Sequence, residues 1–72
     1  MHIIQATRRA AANLTTVSRH AFAARDAERN ADWHERRGES LMAQRYREEA
    51  KRLRRLAQAA ETRRARIIDQ FL

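Results

Sequence analysis

A single glycine, Gly38, stands in a chain of 72 residues that contains no proline and no cysteine. Glycine and proline are the residues that most often end helices or form tight turns, and paired cysteines frame small disulfide-rich folds. Turn-rich, collagen-like and disulfide-framed folds are therefore excluded. What remains is one small domain with a natural helix end near its middle.

Apolar residues recur at steps of three and four on both sides of Gly38, which is the period of an amphipathic helix. The stripe of the first half, interrupted at Thr7 and Glu28, consists of Ile3, Ala10, Leu14, Val17, Ala21, Ala24 and Ala31. The stripe of the second half consists of Ala43, Tyr46, Ala50, Leu53, Ala57, Ala60, Ile67 and Phe71, with Arg64 as its one interruption. The pattern predicts two helices, over roughly residues 7–37 and 40–70.

The two stripes are out of phase, which favours a turn at Gly38 over one long helix. Arginines at 36 and 37 followed by glycine are typical of a helix C-terminus, and Ser40 is expected to cap the next helix. The alternative is a continuous helix that absorbs the glycine at about 1 kcal/mol. The weak helix formers at positions 13–18 also allow a kink or a late start in the first helix.

An antiparallel fold about Gly38 places small residues opposite large ones, as close packing requires. Ala24 then faces Leu53, and Ala10 faces Ile67. The same register sets Val17 against Ala60 and Ala21 against Leu56. Trp33 and Tyr46, with Leu41 and Met42, are expected to plug the turn end.

Large apolar side chains are few, so a monomer would have little to bury, and they concentrate where the two chain ends meet. The expected architecture is an all-α antiparallel helical hairpin that pairs into a homodimeric four-helix bundle or short coiled coil. The residues expected to contact the second copy or another partner are Ile3, Ile4, Leu14, Val17, Leu53, Leu56, Ile67, Ile68, Phe71 and Leu72.

Basic charge is the strongest compositional signal, with a formal net charge of +7 and arginine at every cationic position except Lys51. The densest stretch predicts a basic face of Lys51, Arg52, Arg54, Arg55, Arg63 and Arg66. One interpretation is a solvated face with many ion pairs at three- and four-residue spacing, or one that meets an acidic protein. The other is backbone-directed binding of nucleic acid by a dimer, without sequence specificity.

No pattern in the chain predicts catalysis or a cofactor. The histidines His2, His20 and His34 lack a second ligand at helical spacing, so no metal site is expected. The serines, Ser18 and Ser40, have no adjacent base, and there is no glycine-rich loop to hold phosphate. The chain is therefore expected to be a binding protein rather than an enzyme.

No stretch approaches the roughly twenty apolar residues that span a bilayer, and no secretory signal is present, so a cytoplasmic protein is expected. The first 25 residues, with four arginines and no acidic residue, also have the composition of a mitochondrial presequence. An amphipathic helix on a membrane surface is a third, weaker alternative to protein or nucleic-acid binding.

The chain resembles small accessory proteins of bacteriophages and mobile elements of GC-rich bacteria. The resemblance lies in its short length, its alanine and arginine content, and its helical segments such as residues 57–68. That group includes anti-activators of host transcription regulators, inhibitors of host motors and anti-CRISPR proteins. The resemblance implies a bacterial protein, or one made in an infected host, that modulates or inhibits a host regulatory protein or enzyme. The basic face and the apolar end of the hairpin would suit an acidic or apolar groove on that partner. The resemblance covers composition only, so no functional residue carries over.

Overall fold

The computed structural model describes residues 3–71 as two helices. Helix α1 spans Ile3–Arg36 and helix α2 spans Ser40–Phe71. The helices pack side by side and antiparallel, in a rod whose Cα atoms extend over 53 × 13 × 11 Å. The expected all-α hairpin is confirmed, and the alternative of one continuous helix through Gly38 is wrong.

Helix α1 is unbroken from Ile3 to Arg36, so the late start that the weak helix formers at positions 13–18 allowed does not occur. The hydroxyls of Thr15 and Thr16 donate to the backbone carbonyls of Ala11 and Ala12, at 3.2 and 3.1 Å. These bonds add to the helical ladder without replacing it. Packing against α2 along the helix outweighs the weak intrinsic propensity of this segment.

The connection between the helices is a Schellman turn centred on Gly38, which takes the left-handed conformation at φ 75°. The Glu39 amide donates to the His34 carbonyl at 2.9 Å, and the Gly38 amide donates to the Glu35 carbonyl at 3.0 Å, which satisfies the last carbonyls of α1.

The cap of α2 differs from the expectation. The Ala43 amide donates to the carbonyl of Glu39 at 3.0 Å, so Glu39 occupies the cap position. Ser40 is the first residue of the helix itself, and the prediction that it caps α2 is wrong. The Schellman turn takes only Arg37 and Gly38 before the chain re-enters a helix, which leaves Glu39 in the capping position.

The core between the helices is built almost wholly of alanine. Among the described residues the buried apolar side chains are Ala6, Ala10, Ala24, Ala27, Ala31, Ala43, Ala50, Leu53 and Ala60. At the centre, Ala24, Ala27, Ala50 and Leu53 form one cluster, with Tyr46 packed against it. The expected meeting of Ala24 with Leu53 is thus confirmed. Small side chains allow close approach of the two helices.

Helix α1 turns a different face to its partner than the sequence stripe indicated. Ala6 and Ala27 are buried, in place of their neighbours Thr7 and Glu28, whereas Leu14 is 47% exposed. Rotation of the helix brings its smallest side chains to the contact and leaves Glu28 at the edge, where it reaches an arginine of α2. The stripe of α2 needs no such correction, because each of its members is buried or half-buried.

Candidate interaction surfaces

Helix α1 carries a charge-free line of exposed side chains outside its buried face. We call it the outer strip, and it consists of Ile4, Thr7, Ala11, Leu14, Ser18 and Phe22, all of them exposed. Ile4 is 55% exposed and Phe22 is 63% exposed. Successive members lie three or four residues apart, so they form one line along the helix, about 27 Å long at 1.5 Å per residue.

The apolar residues expected to meet a partner divide among three environments. Leu53 is only 8% exposed and belongs to the core of the hairpin itself, so its assignment to a partner surface is wrong for the single chain. Those that remain exposed are Ile3, Ile4, Leu14 and Leu56. Those that are half-buried are Val17, Ile67, Ile68 and Phe71. Leu72 lies outside the described residues.

Half of the predicted basic face is engaged in ion pairs. Within α2, Lys51 pairs with Glu48 and Arg52 pairs with Glu49. Across the hairpin, Arg54 pairs with Glu28 of α1. The guanidinium of Arg52 donates through two nitrogens to Glu49, and this hydrogen bonding lowers the pKa of Glu49 and raises that of Arg52. These three cations therefore contribute less free charge than the sequence suggested.

The remaining members of the predicted face, Arg55, Arg63 and Arg66, have no carboxylate within 4 Å among residues 3–71. Arg63 and Arg66 line a shallow groove with Arg9 of α1, above Ala12, Asn13 and Ile67. We call this the arginine groove. Its described lining contains three guanidinium groups and no acidic side chain.

Arg63 is held across the groove by an amide. Its Nε donates to Asn13 Oδ1 at 3.2 Å, and Asn13 Nδ2 donates to the backbone carbonyl of Arg9 at 3.0 Å. The charge pattern of either helix alone does not single out Arg9 or Asn13, because the groove forms only where the two helices meet. The antiparallel register contained the signal, since it sets Asn13 opposite Arg63.

Ion pairs between the helices concentrate near the turn. Arg47 donates to Glu35 at 2.6 Å and lies 3.7 Å from Asp32, and Arg54 donates to Glu28. Hydrogen bonding to Glu35 raises the pKa of Arg47. The half of the hairpin nearer the chain ends, residues 3–20 and 57–71, has six arginines against two carboxylates. Positive charge is therefore least compensated far from the turn.

A group of polar and aromatic side chains closes the turn end, and we call it the turn cluster. It consists of Trp33, His34, Arg37, Glu39 and Tyr46. The Arg37 guanidinium lies 4.4 Å from the centre of the Trp33 ring and donates to Glu39 Oε1 at 2.7 Å. The expected plug is thus only partly present, because Trp33 is 48% exposed and Leu41, which was to join it, is 62% exposed.

The hydroxyl groups of the described helices are mostly tied to the backbone. Thr7 and Thr62, like Thr15 and Thr16, donate to the carbonyl four residues earlier. Within residues 3–71, no three side chains of the histidine or carboxylate type lie close enough together to hold a metal ion. His20 is half-buried, and His2 lies outside the described residues.

Comparison with known protein families, with characterised proteins and with solved structures finds no match for this chain. Over the part of the chain that the structure describes, neither helix has a stretch apolar enough to lie across a bilayer.

Proposed function

We propose that this chain is a non-enzymatic protein-interaction module, a preformed helical hairpin that binds a partner protein through the outer strip of α1. The observation that carries the proposal is the exposure of Leu14 and Phe22 on a charge-free helix face, 47% and 63% respectively. A well-packed monomer seldom leaves several large apolar side chains exposed along one charge-free line, and such lines are typical of binding faces.

The first partner in this proposal is a second copy of the chain. The hairpin has 5462 Å² of accessible surface, whereas a compact chain of its mass exposes about 4,700 Å². The elongated hairpin thus exposes about 800 Å² more than a compact chain would, and an interface of standard size covers about that area on each partner. Two copies packed strip against strip would form the four-helix bundle expected from the sequence.

Binding of a host regulator or enzyme, which the compositional resemblance implies, is the further step of the proposal. The outer strip combines large apolar side chains with small ones at three- and four-residue spacing. Such a strip fits an apolar groove of another protein, with the large side chains as anchors. Two observations support a non-enzymatic function. The grooves are open and shallow, and the threonine hydroxyls donate to backbone carbonyls instead of to a general base.

Light scattering after size-exclusion chromatography tests the proposal. The wild-type chain at micromolar concentration is expected to be a dimer, and Leu14→Glu is expected to be a helical monomer by circular dichroism. Leu41→Glu is the matched control, because Leu41 is 62% exposed but lies outside the strip, and it should remain dimeric. A monomeric wild type contradicts dimerisation, and equal loss of the dimer in both variants contradicts the assignment to the strip.

The same variants identify a partner other than the second copy. A host protein that binds the wild type and Leu41→Glu but not Leu14→Glu uses the outer strip. A host protein that binds all three equally uses another surface, which contradicts the proposal for that partner.

A further inference from the structure

The arginine groove lies on the opposite side of the helix contact from Leu14. Ala10, Asn13 and Val17 point towards α2 and mark the line of contact on α1. With 100° between successive residues, Arg9 falls to one side of this line and Leu14 to the other. A ligand in the arginine groove would therefore leave the outer strip accessible.

Arg63 crosses between the helices without losing its charge. In the turn half, the corresponding arginine, Arg54, is neutralised by the carboxylate of Glu28. At Arg63 the acceptor is the neutral amide of Asn13, which fixes the Nε atom at 3.2 Å and leaves the terminal nitrogens for another acceptor. Asn13 therefore orients the Arg63 guanidinium without neutralising its charge.

Arg9 and Arg66 add two further cations at the same groove. Neither makes a side-chain hydrogen bond or an ion pair among residues 3–71, and both line the groove with Arg63. Like charges that line one groove repel one another, and an anion bound between them would relieve this repulsion. The planar guanidinium fork matches phosphate oxygens in pairs, which a lysine ammonium does not.

We propose that the groove formed by Arg9, Arg63 and Arg66 around Asn13 binds the phosphodiester backbone of a nucleic-acid duplex. A linear polyanion can extend from the groove towards Arg19, which lies about 15 Å along α1 from Arg9 and has no ion pair among residues 3–71, whereas a single acidic side chain cannot. The described lining of the groove contains no aromatic ring on which a base could stack. Binding is therefore to the backbone and independent of base sequence.

The test is titration of a fluorescently labelled duplex of about 20 base pairs, at about 50 and 200 mM salt. Phosphate contacts from the three arginines of the groove alone predict a fall in affinity of about 40-fold between these salt concentrations. Arg63→Gln removes one contact, so the fall should shrink to about twelvefold, equally for duplexes of unrelated sequence. Arg52→Gln lowers the net charge by the same amount but removes a cation already paired with Glu49, and it should retain the wild-type salt dependence.

Asn13→Asp is the second variant, because it replaces the amide by a carboxylate of the same shape. It should abolish duplex binding at about 200 mM salt while helix content is unchanged, since Arg63 then pairs within the protein. Absence of duplex binding at about 50 mM salt overturns the proposal. Equal loss in Arg52→Gln and Arg63→Gln also overturns it. Displacement of the duplex by poly-L-glutamate at equal charge concentration would assign the groove to an acidic protein instead.

Discussion

The imidazole of His34 lies parallel to the phenol ring of Tyr46 across the hairpin, with 5.3 Å between ring centroids and 13° between ring planes. The Trp33 ring is nearly perpendicular to the same imidazole, at 84°, with 4.8 Å between the ring centroids. The last turn of α1 and the second turn of α2 are joined by this contact. Because every other core residue except Leu53 is alanine, the ring pair is among the few large contacts between the helices.

Truncation of Tyr46 should therefore destabilise the hairpin. Tyr46→Ala removes a half-buried ring from both His34 and the central cluster, and we expect the free energy of unfolding to fall by about 2–3 kcal/mol. Urea denaturation followed by circular dichroism measures this. Tyr46→Phe keeps the ring and should stay within about 0.5 kcal/mol of the wild type. An equal loss in both variants would show that the hydroxyl, not the ring, is responsible.

Leu53 is the one large side chain among the buried residues of the described core. Leu53→Ala should cost about 2–4 kcal/mol, because the rigid alanine surroundings cannot collapse into the space. In a hairpin of this size such a loss leaves much of the population unfolded at 25 °C. Leu41→Ala, at a position 62% exposed, should change the midpoint of denaturation only slightly at the same protein concentration. Comparable losses would mean that Leu41 is buried in the assembled protein.

Gly38 decides the path of the chain at the turn. A Cβ at this position would meet nothing within 4 Å, so the cost of Gly38→Ala comes from the backbone alone, at φ 75°. We expect a loss of about 1 kcal/mol, and a smaller one for Gly38→Asn, which tolerates this conformation better.

Small-angle scattering checks that the fold of Gly38→Ala is kept. The hairpin has a Cα radius of gyration of 16.2 Å, whereas one continuous helix of about 100 Å would have a value near 30 Å. A shift of Gly38→Ala to the larger value would show that the glycine selects the fold rather than only stabilising it.

The stability of the turn should depend on pH through Glu39. Its hydrogen bond from Arg37 lowers the pKa of the Glu39 carboxyl below the ordinary 4.5, with the neighbouring His34 acting in the same direction. A carboxyl whose pKa is lower in the folded state stabilises that state above its unfolded pKa. This contribution is lost as the pH falls through the folded value.

Thermal unfolding at a series of pH values tests this dependence. We expect Glu39→Gln to melt below the wild type at pH 6, and the two curves to converge as the pH falls below about 4. Glu48→Gln is the control, because Glu48 makes only a 3.6 Å ion pair with Lys51, and it should track the wild type more closely. A gap between Glu39→Gln and the wild type that persists to pH 2 would contradict the assignment.

The helices, the turn and the register could be read from the sequence because each depends on local or periodic information. The apolar spacing predicted the residues of α2 that face α1, and Gly38 predicted the turn. The face of α1 could not be read in the same way, because alanines lie on two adjacent faces and leucine is the more apolar residue. Only the contact with α2 decides between Ala6 and Ala27 on one face and Leu14 on the other.

The candidate surfaces, too, were predictable from the sequence in part only. The sequence by itself determined an all-helical, cationic chain with few large apolar residues, since these properties follow from residue type and order. Tertiary structure alone decided which charges stay free, because an ion pair such as Arg54 with Glu28, or the amide contact of Asn13 with Arg63, joins residues far apart in the chain. It also left Leu14 and Phe22 in solvent, because two helices in contact can cover only one face of each.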